Sequence, residues 1–308
     1  MGLQTFVPGF ESWCPCLRAF DYIGDSLFIP APMHMEADMR TLYLSDLDGT
    51  LLRSDQRTSA FTNETINRLV GEGMLFSYAT ARSFHTAGKA TVGLDAQIPL
   101  IVYNGAFIVD NATHELLASN LFTEAEAAAV LSVLLDAGVS PIVYCMDDRE
   151  RFVYNADRIN RDTQEFVASR RGDPRDTPVT NDAELTRSGT FYFTCIDAAE
   201  RLAPLYEQFR DVFSCVYSKD IYSGAQWLEI MPRAATKAHA ARQLARMLGC
   251  DRIVAFGDSV NDIPLFEAAD ECYAVENAAD VLKARATAVI PSNDEDGVAC
   301  WLDQYGRK

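Results

Sequence analysis

Apolar runs of strand length alternate with segments of helical period at both ends of this chain, and that rhythm restricts its fold more than any other feature. RTLYLS at 40–45, MLFSYA at 74–79 and PLIVYN at 99–104 read as strands. Between them, NETINRLVGEG carries Ile66, Leu69 and Val70 at helical spacing and stops on glycines, and a second helix runs through Phe84 and Val92. The rhythm resumes late, with a helix in KAHAARQLARMLG, the strand RIVAF, a helix in IPLFEAA, the strand CYAV, a helix in VLKARA, the strand AVIP and a closing helix from Gly297. Strands separated by helices make a parallel, doubly wound sheet, so 39–106 and 227–308 are expected to share one α/β core.

The stretch 107–226 orders its elements differently. It contains AFIVD and ELLAS, a helix in EAEAAAVLSVLLDAG, and a hairpin of PIVYCM and RFVYN about the charged turn DDRE. A helix near 158–170, the strand GTFYFTCI, a helix in AERLAPLYEQFR and strands near 212–217 and 227–230 follow. The expected fold class is therefore α/β, a Rossmann-like core with an inserted α+β cap. Residues 1–38 hold one arginine, Arg18, and no lysine, and Glu11, Asp21 and Asp25 break their apolar runs. They are expected to be an extension outside the fold and not a signal peptide.

A formal net charge of −17 leaves no basic excess to neutralise a polyanion, so neither nucleic acid nor an acidic membrane surface is an expected partner. The apolar stretch near 128–135 is too short to span a bilayer. Eight cysteines, without a C-x-x-C pair and beside only four histidines, suit reduced thiols in a cytoplasmic protein better than a zinc site.

Open parallel sheets bind ligands beyond the C-terminal ends of their strands. There the first strand carries Asp46, Asp48, Gly49 and Thr50; the second Thr80, Ala81 and Arg82; the third Asn104 and Gly105; and RIVAF leads into Asp258, Asn261 and Asp262. Four carboxylates on one rim repel one another unless a cation sits among them. An all-oxygen ligand set that leaves room for a phosphate suits Mg²⁺. One acid is then available as a nucleophile and its neighbour two residues on as an acid/base, with Lys237 a candidate to neutralise the phosphoryl oxygens.

DLDGTLL, SYATARS, ATKAHA and AFGDSVNDIPLFEAA, in that order and spacing, resemble the four motifs of the haloacid dehalogenase superfamily of phosphohydrolases. The insertion, with PLIVYNGAFIVD before it and VENAAD and VIPSNDEDGVACWL after, resembles the Cof-type (subfamily IIB) branch with its α/β cap; the likeness covers about 40–308. It implies that Asp46 forms an aspartyl-phosphate, that Asp48 protonates the leaving alcohol and later activates water, and that Thr80 and Lys237 hold the phosphoryl oxygens. It also implies Mg²⁺ on Asp46, the Asp48 carbonyl and Asp258, with Asp262 as an outer-shell or water-mediated ligand. Gly49, Thr50, Ala81, Arg82, Asn104 and Asn261 would lie near the phosphate. Ala81 and Ala238 stand where such proteins commonly have glycine, and Val275 and Glu276 where many have a Met-Gly pair.

Each residue alone has a plainer explanation. DLDGT alone is a turn, Thr80 a helix N-terminal residue, Asp262 a helix cap, and Lys237 a solvated lysine with Lys219 and Arg233 as competitors. Their joint order favours the catalytic reading. Cys145 to Arg151 and Cys195 to Arg201 match the C-x₅-R spacing of thiol phosphatases, but the acids inside both segments repel phosphate and raise a thiol pKa. The arginines between Arg149 and Arg175 are interleaved with acids and read as a solvated face.

The expected activity is Mg²⁺-dependent hydrolysis of a small phosphorylated metabolite, a sugar phosphate or a relative of one. The cap would exclude water and read the leaving group, with Asn155, Arg158 and Asn160 as its candidate contacts. A phosphomutase using the same aspartyl-phosphate and a non-catalytic sugar-phosphate-binding regulator are the alternatives.

Overall fold

Strand β1 (Thr41–Ser45) is apolar from Leu42 to Leu44 and buried from Leu42 onward, as a strand covered on both faces must be. In the computed structural model, which describes residues 39–95, 97, 99–219 and 224–306, it is followed by α1 (Ala60–Gly71), β2 (Leu75–Tyr78), α2 (Phe84–Ala90) and β3 (Leu100–Val102). The expected extension 1–38, with Cys14 and Cys16, lies outside the described residues. Next come β4 (Phe107–Val109), β5 (Leu116–Ser119), α3 (Glu124–Asp136), β6 (Ile142–Met146), β7 (Glu150–Asn155), α4 (Arg161–Ser169) and β8 (Asp176–Val179). Then follow β9 (Thr190–Ile196), α5 (Ala199–Phe209), β10 (Ser214–Lys219) and β11 (Gln226–Met231). The chain closes with α6 (Lys237–Leu248), β12 (Arg252–Gly257), α7 (Ile263–Ala268), β13 (Glu271–Val275), α8 (Asp280–Lys283), β14 (Ala288–Ile290) and α9 (Gly297–Tyr305).

The core sheet runs β14-β13-β12-β1-β2, every neighbour parallel. From β1 the chain steps outward to β2 and from β12 outward to β13, so strand order reverses between β1 and β12, the crevice where such sheets bind ligands. Helix α1 packs with α9 and α6 with α7, and they close over Leu42, Leu44, Phe76, Val254 and Phe256. Phe76 and Phe256 are fully buried, and truncating either to alanine costs about 3–5 kcal/mol.

The cap sheet runs β10-β11-β9-β6-β7-β8. Its strands alternate: Val143, Phe193, Leu228 and Ile230 face inward with Leu134 of α3 and Leu202 and Leu205 of α5. The alternate positions Tyr144, Tyr192, Thr194, Trp227 and Glu229 line a cavity between cap and core.

Strand pairing draws the internal boundaries elsewhere than at 106/107 and 226/227. β4 pairs antiparallel with β3 on one side and β5 on the other, β3 continues the core through a parallel bridge from Ile101 to Ala79, and Ile108 packs into the core cluster. β11 pairs with β9 and β10, so it belongs to the cap sheet. The order of strands along the sequence carries no record of which edge each one joins. Helix α2 also stops short of Val92, at Ala90.

Candidate active site

The chain leaves β1 at Asp46, whose N–H donates to Phe256 O of the neighbouring β12 at 2.9 Å, and turns at once. Gly49 has φ 77°, and a Cβ there would lie 2.5 Å from Asp258 Oδ2. Glycine alone allows that turn and that approach. Thr50 donates its hydroxyl to Asp258 Oδ1 at 2.9 Å, joining the ends of β1 and β12 directly.

Lys237 arrives from the opposite side. Thr236 caps α6 by accepting from His239 N, and Gly105, with φ 100°, admits the Thr236 carbonyl where a Cβ would come within 2.3 Å of it. The buried Lys237 Nζ then donates to Asp46 Oδ1 at 2.5 Å and Asp262 Oδ1 at 2.7 Å. Asp262, fully buried, also accepts from the N–H groups of Asp258 and Ser259 at 3.2 Å each, so both its oxygens are engaged within the protein.

Burial raises the Asp46 pKa well above the usual carboxylate range, opposed by Lys237 and reinforced by Asp262 and Asp258. Burial and Asp262 push Asp258 up to about 6. Burial works against the Lys237 ammonium, but Asp262 and Asp46 outweigh it and hold its pKa above the ordinary lysine value. Oxygens of Asp46, Asp258 and Asp262 lie within 4.8 Å of one another. Three crowded carboxylates, two of them with raised pKa values and one cation short of balance, form a donor set that fits a hard divalent cation.

The other expected residues distribute unevenly. Asp48 is exposed at the rim and gripped by Arg82, with Nε to Oδ2 at 2.8 Å and Nη2 to Oδ1 at 2.5 Å. Thr80 is fully buried and its hydroxyl accepts from Arg82 N at 3.1 Å; the cap of α2 is Ser83, so Thr80 precedes that helix. Ala81 lies exposed on the cavity wall. Asn104, at φ 53°, donates its N–H to Thr80 O at 2.8 Å and its amide to Tyr192 OH of the cap at 3.3 Å. Asn261 is exposed, its Oδ1 taken by the Ser259 hydroxyl, and is not drawn into the acidic cluster.

Two supporting residues escaped the sequence reading. Asn277 donates to Gly49 O at 2.7 Å, and Asn293, which donates to Asn277 Oδ1 at 3.1 Å through its N–H, also donates to Leu52 O at 2.8 Å. Together they pin the first-motif turn from the far end of the chain. Asn277 makes its contact directly after Val275 and Glu276, so the unusual pair leaves that anchor intact.

The cavity between rim and cap holds about 370 Å³, with Asp48, Ala81 and Arg82 on one side and Arg170, Trp227 and Glu229 on the other. The expected cap contacts are elsewhere. Asn155 and Arg158 both engage Asp182, and Asn160 caps α4 by accepting from Thr163 N. Nor is the arginine run wholly solvated: Arg175 is buried against Asp173, Glu150 and Tyr103, and Arg170 lines the cavity. The C-x₅-R segments carry no reactive thiol. Burial first and Asp147 second push Cys145 up to about 11, and burial raises Cys195 further.

Known proteins share this architecture. The sequence model of the haloacid dehalogenase-like hydrolases matches residues 43–302. A Bacillus subtilis 5-amino-6-(5-phospho-D-ribitylamino)uracil phosphatase is 30% identical over 278 residues, covering 84% of this chain and 96% of the relative. The crystal structure of TM0651 from Thermotoga maritima superposes with a TM-score of 0.72 at 24% identity, over 88% of this chain and 99% of that one. The subclass IIB sugar phosphatase BT4131 superposes with a TM-score of 0.67 at 18% identity, over 86% and 99%. By that family match and that relative, the chain belongs to the haloacid dehalogenase-like hydrolases, as a Cof-type phosphoric monoester hydrolase.

Proposed function

We propose that the chain hydrolyses a small phosphomonoester, a sugar phosphate or related metabolite, through an aspartyl-phosphate on Asp46 and with Mg²⁺ as its cation. Lys237 fixes Asp46 by Oδ1, which leaves Oδ2 as the attacking atom. Asp46 Oδ2 forms a bond to phosphorus while the bond from phosphorus to the leaving oxygen breaks, and Asp48 gives that oxygen its proton. Water then attacks the phosphorus and loses a proton to Asp48, the acyl-phosphate bond breaks, and Asp46 returns with inorganic phosphate free.

Asp46, the Asp48 carbonyl and Asp258 are the residues that would hold the metal, and a bound Mg²⁺ supplies the positive charge that lets a carboxylate approach a phosphate dianion. Asp262, with both oxygens engaged, orients Lys237 and the 258–259 turn instead. Arg82 holds Asp48 at the rim until substrate arrives. The cap, taken as 120–231 from its strand pairing, closes the cavity over the leaving group. A phosphorylated alcohol of metabolite size is supported by that 370 Å³ volume and by the name of the Bacillus subtilis relative, whose substrate is a phosphoribityl pyrimidine.

The carrying observation is the contact of Lys237 with Asp46 beside the Thr50-bound Asp258. Phosphate release over a panel of sugar and polyol phosphates tests it, with Mg²⁺ or EDTA and with Asp46→Asn as control. Turnover that needs Mg²⁺ and vanishes in the variant supports the reading; equal release by Asp46→Asn overturns it.

A further inference from the structure

Tyr103, Asn104 and Gly105 stand in succession at φ 51°, 53° and 100°, all in the left-handed region. For a bulky aromatic residue that conformation is an outlier, and such strain persists only where surrounding contacts over-determine it. Those contacts bind the turn to three functional parts of the chain. Tyr103 N–H donates to Arg82 O at 3.0 Å and Asn104 N–H to Thr80 O at 2.8 Å, so the strained turn holds the second-motif backbone at both ends. Gly105 packs against the Thr236 carbonyl, one residue before Lys237. Asn120, where the chain passes from core to cap, donates its side-chain amide to Gly105 O at 2.8 Å and its N–H to Ala106 O at 2.7 Å.

Both strained side chains reach into the cap, Asn104 through Tyr192 and Tyr103 more deeply. The Tyr103 ring lies edge-on to Phe191 at 4.9 Å and to Tyr144 at 5.9 Å. Its hydroxyl donates to Glu150 Oε1 of β7 and accepts from Arg175 Nη1 at 2.9 Å. Arg175 also donates to Glu150 at 2.6 Å and grips Asp173 with Nε at 2.9 Å and Nη2 at 2.7 Å. Tyr103 and Arg175 are buried, which shelters these charge-assisted hydrogen bonds from water. The aromatic contacts alone would seat a phenylalanine equally well. A hydroxyl given both a donor and an acceptor in the cap adds a fixed point that ring packing does not supply.

From that point a short chain of contacts leads to the chemistry. The Tyr103 N–H holds the Arg82 carbonyl, and the Arg82 guanidinium holds both oxygens of Asp48, at 2.8 and 2.5 Å. Resting on the reading of Asp48 as acid and base given above, we propose that Tyr103 is a positioning residue whose hydroxyl, held by Glu150 and Arg175, ties the seat of the cap to the Thr80–Arg82 turn and thereby aims Asp48. Loss of the hydroxyl leaves the ring packed but frees the strained backbone to relax, carrying Arg82 and with it Asp48 out of line. Cap seating and proton delivery are thus set together, although Tyr103 lies in none of the four motifs.

The test has a kinetic arm and an arm without turnover. In the first, kcat/KM with Mg²⁺ is compared for wild type and Tyr103→Phe on two kinds of ester. Glucose 6-phosphate and ribose 5-phosphate release alcohols that leave only with a proton, whereas 4-nitrophenyl phosphate releases a phenolate that leaves without one. The variant should lose about tenfold on the sugar phosphates and less than about threefold on the nitrophenyl ester. Glu150→Gln, which keeps the shape of the anchor and removes its charge, should show the same selective loss to a smaller degree, a comparison that does not depend on the tyrosine variant folding. In the second arm, hydrogen exchange followed by mass spectrometry reads the amides of Tyr103 and Asn104, which should exchange about tenfold faster in Tyr103→Phe than in wild type. Equal losses on both kinds of ester, the result a mere packing role would give, overturn the positioning role, and so does unchanged exchange at those amides. Faster exchange in the variant, with no ester hydrolysed by wild type, would instead sink the phosphatase reading and leave the tie between cap and turn standing.

Discussion

Lys237 divides one ammonium between Asp46, at 2.5 Å, and Asp262, at 2.7 Å, inside a site from which water is almost excluded. Breaking such a buried pair by removing one partner leaves carboxylates uncompensated and costs about 3–5 kcal/mol. Lys237→Ala should therefore lower stability by an amount of that order in urea unfolding at neutral pH. It should also cut phosphate release about 10²–10³-fold, since in the proposed mechanism the cation serves the phosphoryl oxygens in the transition state. An alanine variant as active as wild type would show that the lysine is only a structural counter-ion.

The acidic cluster makes metal binding a matter of stability as well as rate. A ligand that binds only the folded chain raises its unfolding temperature in proportion to the logarithm of its concentration. Mg²⁺ should raise the melting temperature of the wild type, and EDTA should reverse the rise. Asp258→Asn should abolish the response. Thr50→Val, which removes only the hydroxyl at 2.9 Å from Asp258, should weaken it. A full Mg²⁺ response in Asp258→Asn would place the ion elsewhere.

How far the sequence reached depended on whether a feature is local. The end of β1, with Asp46, Asp48 and Gly49, and the start of α6 at Lys237 were legible because a strand, a tight turn and a capped helix are written in neighbouring residues. The pairing of β4 with β3 and of β11 with β9 was not, because register is decided by partners far along the chain. The same reason hid Asn277 and Asn293, whose value lies in carbonyls more than 200 residues away. Glu229 was the one legible clue left unread: a single acid at an alternate position of an otherwise apolar strand marks a face that meets something other than the core.

Gly49 is required by geometry on two counts. Its φ of 77° strains any residue with a side chain, and the new Cβ of Gly49→Ala would lie 2.5 Å from the Asp258 carboxylate. The backbone cost alone is of order 1–3 kcal/mol. Because relief means pushing Asp258 aside, the variant should lose Mg²⁺-dependent turnover more severely than stability. Gly71→Ala, with nothing within 4 Å, is the matched control and should change neither by much. Comparable losses in both variants would contradict this account of the turn.

Burial raises the Glu229 pKa from 4.5 to about 6, with Tyr192 pulling the other way. A carboxyl whose folded pKa lies above its unfolded one binds its proton more tightly in the folded chain. It therefore favours folding below about pH 4.5, and that contribution is lost as pH rises through 6. At pH 8 the ionised Glu229 should cost the protein about 2 kcal/mol at most. Glu229→Gln should then unfold at higher urea than wild type at pH 8, and the gap should close toward pH 4.5. A variant no more stable than wild type at pH 8 would mean that the carboxylate is already well solvated there.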